Sequence, residues 1–272
     1  MFDRLNLQIN VYMSWNLTTQ AASSLLSDNH QQKASAEWLP RKITLYDVEF
    51  TFKENPLSPY SIRLMLLLHY KNLAYETVWI SFPHVEATAK ALSAPPTFTK
   101  ADGTLGYTIP FVTASFPDKS TIAISDSLRI AQFIDKMYPE PEDKIILSNA
   151  RVFHSIFTKY MTERIQGSIY KISMPFAINA LSESAGKCAT EAWKVIKTAF
   201  DDLAVHLDNG GERNFRVTGN AGYAEFELVS ILNLVKRLSR GGWNRLRVRN
   251  GGRWGKLTDL LLYKKLLPAN RV

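Results

Sequence analysis

At 272 residues with 46% hydrophobic and 11% aromatic content, the chain is long and apolar enough for one large or two modest globular domains, which excludes a disordered or fibrous protein. A single cysteine, Cys188, excludes an internal disulfide, and the five histidines (His30, His69, His84, His154, His206) fall at no metal-ligand spacing, so a reducing compartment, a metal-free fold and a cytoplasmic location are expected. The formal charge of +8 lies almost wholly at one end: residues 236–272 carry eleven Lys and Arg against Asp259 alone, which leaves 22 basic and 24 acidic groups elsewhere and removes the case for a generally basic surface.

Residues 1–42 are rich in Ser, Asn and Gln, show no sustained hydrophobic period, and are expected to be a disordered extension. Arg4 alone among early residues is basic, which gives a mitochondrial presequence little support, and no apolar run approaches the length of a membrane span. From Ile43 the pattern tightens. Ile43 to Val48 reads as a strand, Pro59 to Tyr70 as an apolar helix, Ala74 to Ser81 as a strand and Val85 to Leu92 as a short helix. Pro110 then leads the apolar strand Phe111 to Ala114, a second short strand covers Ile122 to Ile124, and Ser125-Asp126-Ser127 opens a helix to Met137. The order βαβαββα predicts a four-stranded mixed sheet with helices on its faces.

Residues 139–149, with Pro139-Glu140-Pro141-Glu142-Asp143, read as a linker, and 150–266 read as an all-helical domain with no credible strand. Its helices are expected at about 150–180, 190–207, 224–238 and 256–266, followed by a tail at 267–272. In the basic end segment Arg245, Arg247 and Arg249 alternate with Leu246 and Val248 between Trp243 and Trp254. Two readings fit: a phosphate-binding surface with aromatic platforms, or a solvated segment whose tryptophans pack inward, and the second is favoured.

Three local features of the first domain stand out. Ser58-Pro59 sits at a strand-to-helix turn, where Ser is a natural N-cap and Pro suits the first helical position. The same arrangement aims a hydroxyl, free backbone amides and the positive helix end at one point, which also suits a thiolate. Ile109-Pro110 places proline immediately before a strand, and a cis bond there would leave the Ile109 backbone open to an extended peptide. Asp126-Ser127 opens a helix, so a carboxylate would suit its hydroxyl and amides while Asp126 would face an ammonium group. Singly, each also reads as a cap, an ordinary proline or a solvated acid.

Thiolate, extended backbone and amino-acid end group together describe glutathione. The chain resembles a cytosolic glutathione transferase, a thioredoxin-like domain followed by an all-helical one, over roughly Ile43 to Leu262. Ser58-Pro59-Tyr60-Ser61-Ile62-Arg63, Leu73-Ala74-Tyr75-Glu76-Thr77-Val78-Trp79, Tyr107-Thr108-Ile109-Pro110, Ile124-Ser125-Asp126-Ser127 and Trp243 through Asn250-Gly251-Gly252-Arg253-Trp254 are similar to the fungal etherase-like branch. The resemblance implies that Ser58 donates a hydrogen bond to the glutathione thiolate, that Ile109 before a cis Pro110 pairs with the cysteinyl backbone, and that Asp126 and Ser127 hold the γ-glutamyl end. It implies a hydrophobic substrate pocket, with Tyr60, Phe153, Phe157 and Tyr160 as candidates for its wall, although a helical aromatic row is more often plain core. Glutathione enters as co-substrate, with no metal, nucleic acid or membrane partner, and a homodimer is expected.

Serine at position 58 stands where thiol-reductase relatives carry cysteine, so conjugation or thiol-driven ether cleavage of small aromatic electrophiles is expected rather than reduction. The alternative is a non-catalytic ligandin or regulatory protein on the same fold. Gly222 and Glu225 stand where the family usually has Ser or Thr followed three residues later by Asp, a departure that costs only a few tenths of a kcal/mol at a cap.

Overall fold

A computed structural model of the protein describes residues 39–50, 56–139, 145–146, 151–171, 183–209 and 222–263. The expected extension up to residue 38, most of the linker, the stretches 172–182 and 210–221, and everything beyond 263 lie outside the described residues.

The strands are β1 (Lys42–Val48), β2 (Glu76–Ile80), β3 (Phe98–Thr99), β4 (Leu105–Gly106), β5 (Phe111–Ser115) and β6 (Thr121–Ser125). Four of them form the expected mixed sheet in the order β2-β1-β5-β6, with β1 parallel to β2, β5 antiparallel to β1 and β6 antiparallel to β5. The β3–β4 pair is a small separate hairpin that the sequence pattern did not announce, since two-residue strands show no period. As an inner strand, β1 is buried on both faces. Ile43 and Leu45 join the core beneath α1 (Pro59–Tyr70), while Tyr46 and Val48 join a second cluster with Ile80, Phe111 and Val85 of α2 (Val85–Ala91).

α1 is buried without interruption from Ser61 to Leu68, because the sheet lies on one side and a helix of the second half on the other. That position explains why its sequence is apolar around the whole circumference. α3 (Ser127–Met137) is instead amphipathic, burying Ile130, Ala131 and Ile134. Lys71 follows the end of α1 and meets Asp135 of α3 at 2.7 Å, both side chains nearly inaccessible to water. The two oxygens of Asp135 also accept the amides of Ile145 and Ile146 at 3.2 and 3.1 Å, so one carboxylate docks the connecting segment.

Beyond that segment every described element is helical: α4 (Arg151–Tyr160, running through a π-helical turn at Met161–Gln166 to 171), α5 (Glu183–Asn209), α6 (Tyr223–Leu238), α7 (Arg240–Leu246) and α8 (Arg249–Tyr263). α5 starts seven residues earlier than the sequence pattern implies, and α7 occupies a stretch where no helix is expected. α8 opens on Asn250, Gly251 and Gly252 at φ of 50°, 70° and 77°, a left-handed turn that two glycines make tolerable.

The alternating Arg and apolar residues at 245–249 belong to the end of α7, a short turn and the start of α8. Trp243 and Trp254 are buried, with Trp254 edge-on to Phe200 at 5.0 Å. Arg249 grips Asp201 through two bonds of 2.8 and 2.6 Å, and Arg253 reaches Asp208 and the carbonyl of Ala204. The inward-packing alternative holds for both tryptophans.

α6 is the centre of the second half, with Tyr223–Val235 buried throughout. Gly222 has no side chain to cap it, but its amide donates to Glu225 Oε2 at 2.9 Å, so half of the reciprocal cap survives. Across α1 and α6, Arg63 Nη1 lies 2.8 Å from Glu227 Oε1 with both side chains fully buried, and Thr158 of α4 donates to Glu227 Oε2 at 2.9 Å. Burial opposes the charge on Arg63, yet Glu227 beside it lifts the guanidinium above its ordinary value and keeps it charged. Arg63→Met, which strands the Glu227 carboxylate, is expected to cost about 3–5 kcal/mol in urea unfolding, whereas Arg63→Met with Glu227→Met recovers most of that loss. A single-variant cost under 1 kcal/mol would contradict a charged, dry pair.

Candidate functional site

The register of the sheet brings the three local features of the sequence to one edge. Tyr46 near the end of β1 pairs with Phe111 at the start of β5, and Phe111 pairs with Ser125 at the end of β6. The chain leaves β1 toward Ser58, enters β5 from Ile109-Pro110, and leaves β6 into Asp126-Ser127. All three turns therefore lie at the same end of the sheet.

Ser58 occupies the N-cap position of α1 with extended backbone (φ −62°, ψ 124°), Pro59 follows it, and its carbonyl accepts the Ile62 amide at 3.0 Å. Its hydroxyl makes no capping bond. The simple capping role read from Ser-Pro thus fails for the side chain, and the hydroxyl is left for another partner. The preceding loop is held from the second half by Arg237, which donates to the carbonyl of Pro56.

The Ile109–Pro110 bond is cis. Pro110 is buried, Ile109 half-buried, and neither the amide nor the carbonyl of Ile109 has a partner among the described residues. Asp126 caps α3, its Oδ1 accepting the amides of Leu128 and Arg129 at 3.0 Å each, which leaves Oδ2 outside the cap. Its φ of 74° is uncommon for a non-glycine residue and costs on the order of 1–3 kcal/mol, a cost typical of sites whose geometry is imposed by use. Ser127 is 6% exposed, and its oxygen accepts from the phenol of Tyr223 at 3.1 Å.

The aromatic candidates separate. Tyr60 lies in the first turn of α1 with the Arg63 guanidinium 4.7 Å from its ring centre. Phe153 stacks on Phe157 at 5.7 Å, but Phe157 is buried in the core and Tyr160 donates to the carbonyl of Ala199 in α5 at 3.1 Å. Those contacts pack α4 within the helical half. Tyr170, beyond the π-helical turn, is the aromatic close enough to Tyr60 and Arg63 to feel both electrostatically, and its phenol accepts from Gln166 at 2.9 Å.

One group at this end was not signalled by any motif. Asp47, fully buried near the end of β1, accepts its neighbour Val48's amide at 2.8 Å through Oδ1, while Oδ2 has no close partner among the described residues. Burial pushes its carboxyl up to about 6, against the opposing influence of the nearby Ser61 hydroxyl in the first turn of α1 and of the Val48 amide. A carboxylate between Tyr46 and Val48 in a strand that pairs on both sides was the available signal. Among the described residues no group of three His, Cys, Asp or Glu side chains is placed to hold a metal ion, and no helix is long and apolar enough to cross a membrane.

Residues 57–137 match the family model of the glutathione S-transferase N-terminal domain, and residues 180–262 match that of the C-terminal domain. A glutathione S-transferase-like protein of Aspergillus flavus is 30% identical over 82 residues, a match that spans 29% of this chain and 29% of that relative's length. Among solved structures, a glutathione S-transferase of Ceriporiopsis subvermispora in complex with glutathione is similar at 25% identity and a TM-score of 0.72, covering 84% of this chain and 100% of that one. A glutathione transferase of Phanerochaete chrysosporium shares the fold at 22% identity and a TM-score of 0.71, covering 85% of this chain and 100% of that one.

The titration of Asp47 has a measurable consequence. Between the unfolded carboxyl value of 3.8 and the folded value of about 6 the folded state binds the extra proton, so stability falls as pH rises through that window. The loss amounts to about 3 kcal/mol above pH 6–7. Asp47→Asn, which keeps an acceptor for Val48 but cannot ionise, is expected to be more stable than the wild type at pH 8 and nearly equal to it at pH 4 in denaturant titrations. Parallel stability curves for the two proteins across that range would show that Asp47 does not titrate there.

Proposed function

The chain belongs to the glutathione S-transferase family, whose two domain models together match more than half of it, and we propose that it is a glutathione-dependent transferase acting on small hydrophobic or aromatic electrophiles, aryl ethers among them. The observation that carries this reading is the Ser58 hydroxyl, placed at the N-terminus of α1 without a capping bond, at the same sheet end as Ile109 and Asp126-Ser127.

Each part follows from its local chemistry. The positive end of α1 and the Ser58 O–H stabilise the glutathione thiolate, lowering its thiol pKa and holding sulfur in one place. The open amide and carbonyl of Ile109 pair with the cysteinyl backbone as an added strand would. The Ser127 hydroxyl at the N-terminus of α3 receives the γ-glutamyl carboxylate, and Oδ2 of Asp126 receives the ammonium. In the reaction the thiolate sulfur attacks an electrophilic carbon. A carbon–sulfur bond forms, the bond to the leaving group breaks with its electron pair, and a halide or phenoxide departs. No electron is gained or lost overall. Tyr60 is two residues from Ser58 and Tyr170 lies close enough to interact with it, so these two join the candidates for the wall against which an aryl substrate would lie. The serine also separates this chain from thiol reductases, which need a cysteine there to form a mixed disulfide.

Glutathione-dependent turnover of a panel of aryl halides and aryl ethers tests the assignment. Ser58→Ala is expected to lower the rate on the order of 10²-fold by removing one preorganised donor. Equal rates would move the thiolate site to Ser61 or another donor of the same turn. Retained glutathione binding without turnover of any electrophile would favour the non-catalytic carrier instead.

The homodimer expected of the family would have a ready surface. Val152, Phe153 and Ile156 are 72%, 39% and 63% exposed on one side of α4, and apolar exposure of that kind is typical of an association face. Ile156→Lys is expected to convert a dimer to monomer in sedimentation velocity, with glutathione binding retained. An unchanged sedimentation coefficient would place the interface elsewhere.

A further inference from the structure

The bond between Tyr223 and Ser127 joins the first residue of α6 to the first residue of α3 across 96 positions of sequence. Its direction matters. The phenol of Tyr223 donates and the Ser127 oxygen accepts at 3.1 Å. A serine hydroxyl has one proton and two lone pairs, so with a lone pair committed to Tyr223 its proton is not used in that bond and is directed elsewhere.

Tyr223 is held for this task from several sides. Its side chain is fully buried, its own amide donates to the carbonyl of Ile145 at 3.2 Å, and the His154 ring meets its ring edge-on at 6.1 Å. Burial pushes the phenol up to about 12, so it stays protonated and keeps its proton for the bond it donates to Ser127. The Arg63 guanidinium lies 5.9 Å from the Tyr223 ring centre, close enough for its charge to act on the phenol. Its positive charge pulls against the upward shift, which makes the O–H a stronger donor. Glu227 fixes Arg63 in turn through Nη1.

We infer that Tyr223, held beside the Arg63–Glu227 pair, is a positioning residue that sets the Ser127 hydroxyl as a donor toward the γ-glutamyl carboxylate of glutathione, so that the helical domain controls affinity for a ligand bound on the first domain. The chain of polarisation runs one way, from a buried cation through a phenol to a serine proton, and its outward end suits an anion and rejects a neutral group. The inference rests on the assignment of glutathione to this end of the sheet.

Equilibrium binding and steady-state kinetics of the wild type, Tyr223→Phe, Ser127→Ala and the double variant provide the test. Tyr223→Phe removes one oxygen and keeps the ring. It is expected to weaken glutathione binding on the order of 10-fold and to raise the KM for glutathione while kcat and the KM for the electrophile stay as they are. In the Ser127→Ala background the same change is expected to add nothing. A probe lacking the relevant carboxylate, 4-aminobutyryl-cysteinyl-glycine, is expected to bind the wild type and Tyr223→Phe alike. Unchanged glutathione affinity in Tyr223→Phe overturns the inference and leaves the transferase reading standing. So does an equal loss for the carboxylate-free probe, or a loss that persists in the Ser127→Ala background, since either marks a general loosening of the fold. Absence of glutathione binding by the wild type overturns both.

Discussion

The buried pair of Arg63 and Glu227 is the constraint on which the arrangement of this molecule turns. Two charges removed from water are stable only in near-ideal geometry, and removal of either strands the other at a high cost. Arg63 lies five residues beyond Ser58 on α1, and Glu227 lies four residues beyond Tyr223 on α6. The helix that begins at Ser58 is therefore keyed to the helix that supplies Tyr223. Apolar packing alone holds α1 against α6 but permits small slides and rotations, because leucine side chains tolerate them. A dry ion pair with Thr158 on the second carboxylate oxygen does not.

Around that key the binding edge is assembled from positive ends. α1 and α3 both begin at one end of the sheet, and the register of β1, β5 and β6 leaves no freedom to separate them. A one-residue slip in either pairing would turn Phe111 out of the core and carry Ile109 away from Ser58. Two helix N-termini, an open stretch of backbone and one carboxylate are the features on which the proposed glutathione site rests. Asp47 lies near this edge without facing water. Its complete burial is what raises its carboxyl pKa.

The strongly basic end of the chain illustrates why net charge is a poor guide to partners. Arg249 and Arg253 are paired with Asp201 and Asp208 of α5, Arg237 holds the carbonyl of Pro56, and Lys236 approaches Asp259 at 3.8 Å. The α5 acids come from a part of the chain that looks acidic when counted separately. Charge that is lopsided along the sequence is balanced locally in space, and several of the terminal cations fasten helices together.

Everything that depends on neighbours in sequence was legible before folding. The order βαβαββα, the Pro59 helix start, the proline before β5 and the acid-serine pair opening α3 all act over a few residues, so local pattern carried them and the family resemblance followed. Shorter or irregular pieces escaped: the β3–β4 hairpin and α7 are too brief for a period, and Asn250-Gly251-Gly252 reads as an ordinary loop until its left-handed turn is seen. What only the tertiary structure decided is pairing at a distance. Arg63 finds Glu227 164 residues away and Tyr223 finds Ser127 96 residues away, while Asp47 acquires its shifted carboxyl simply by being covered. A charge within an apolar helix announces that a partner must exist, because an unpaired buried ion is too costly to keep. Which partner it takes is settled only when α1 and α6 pack against each other.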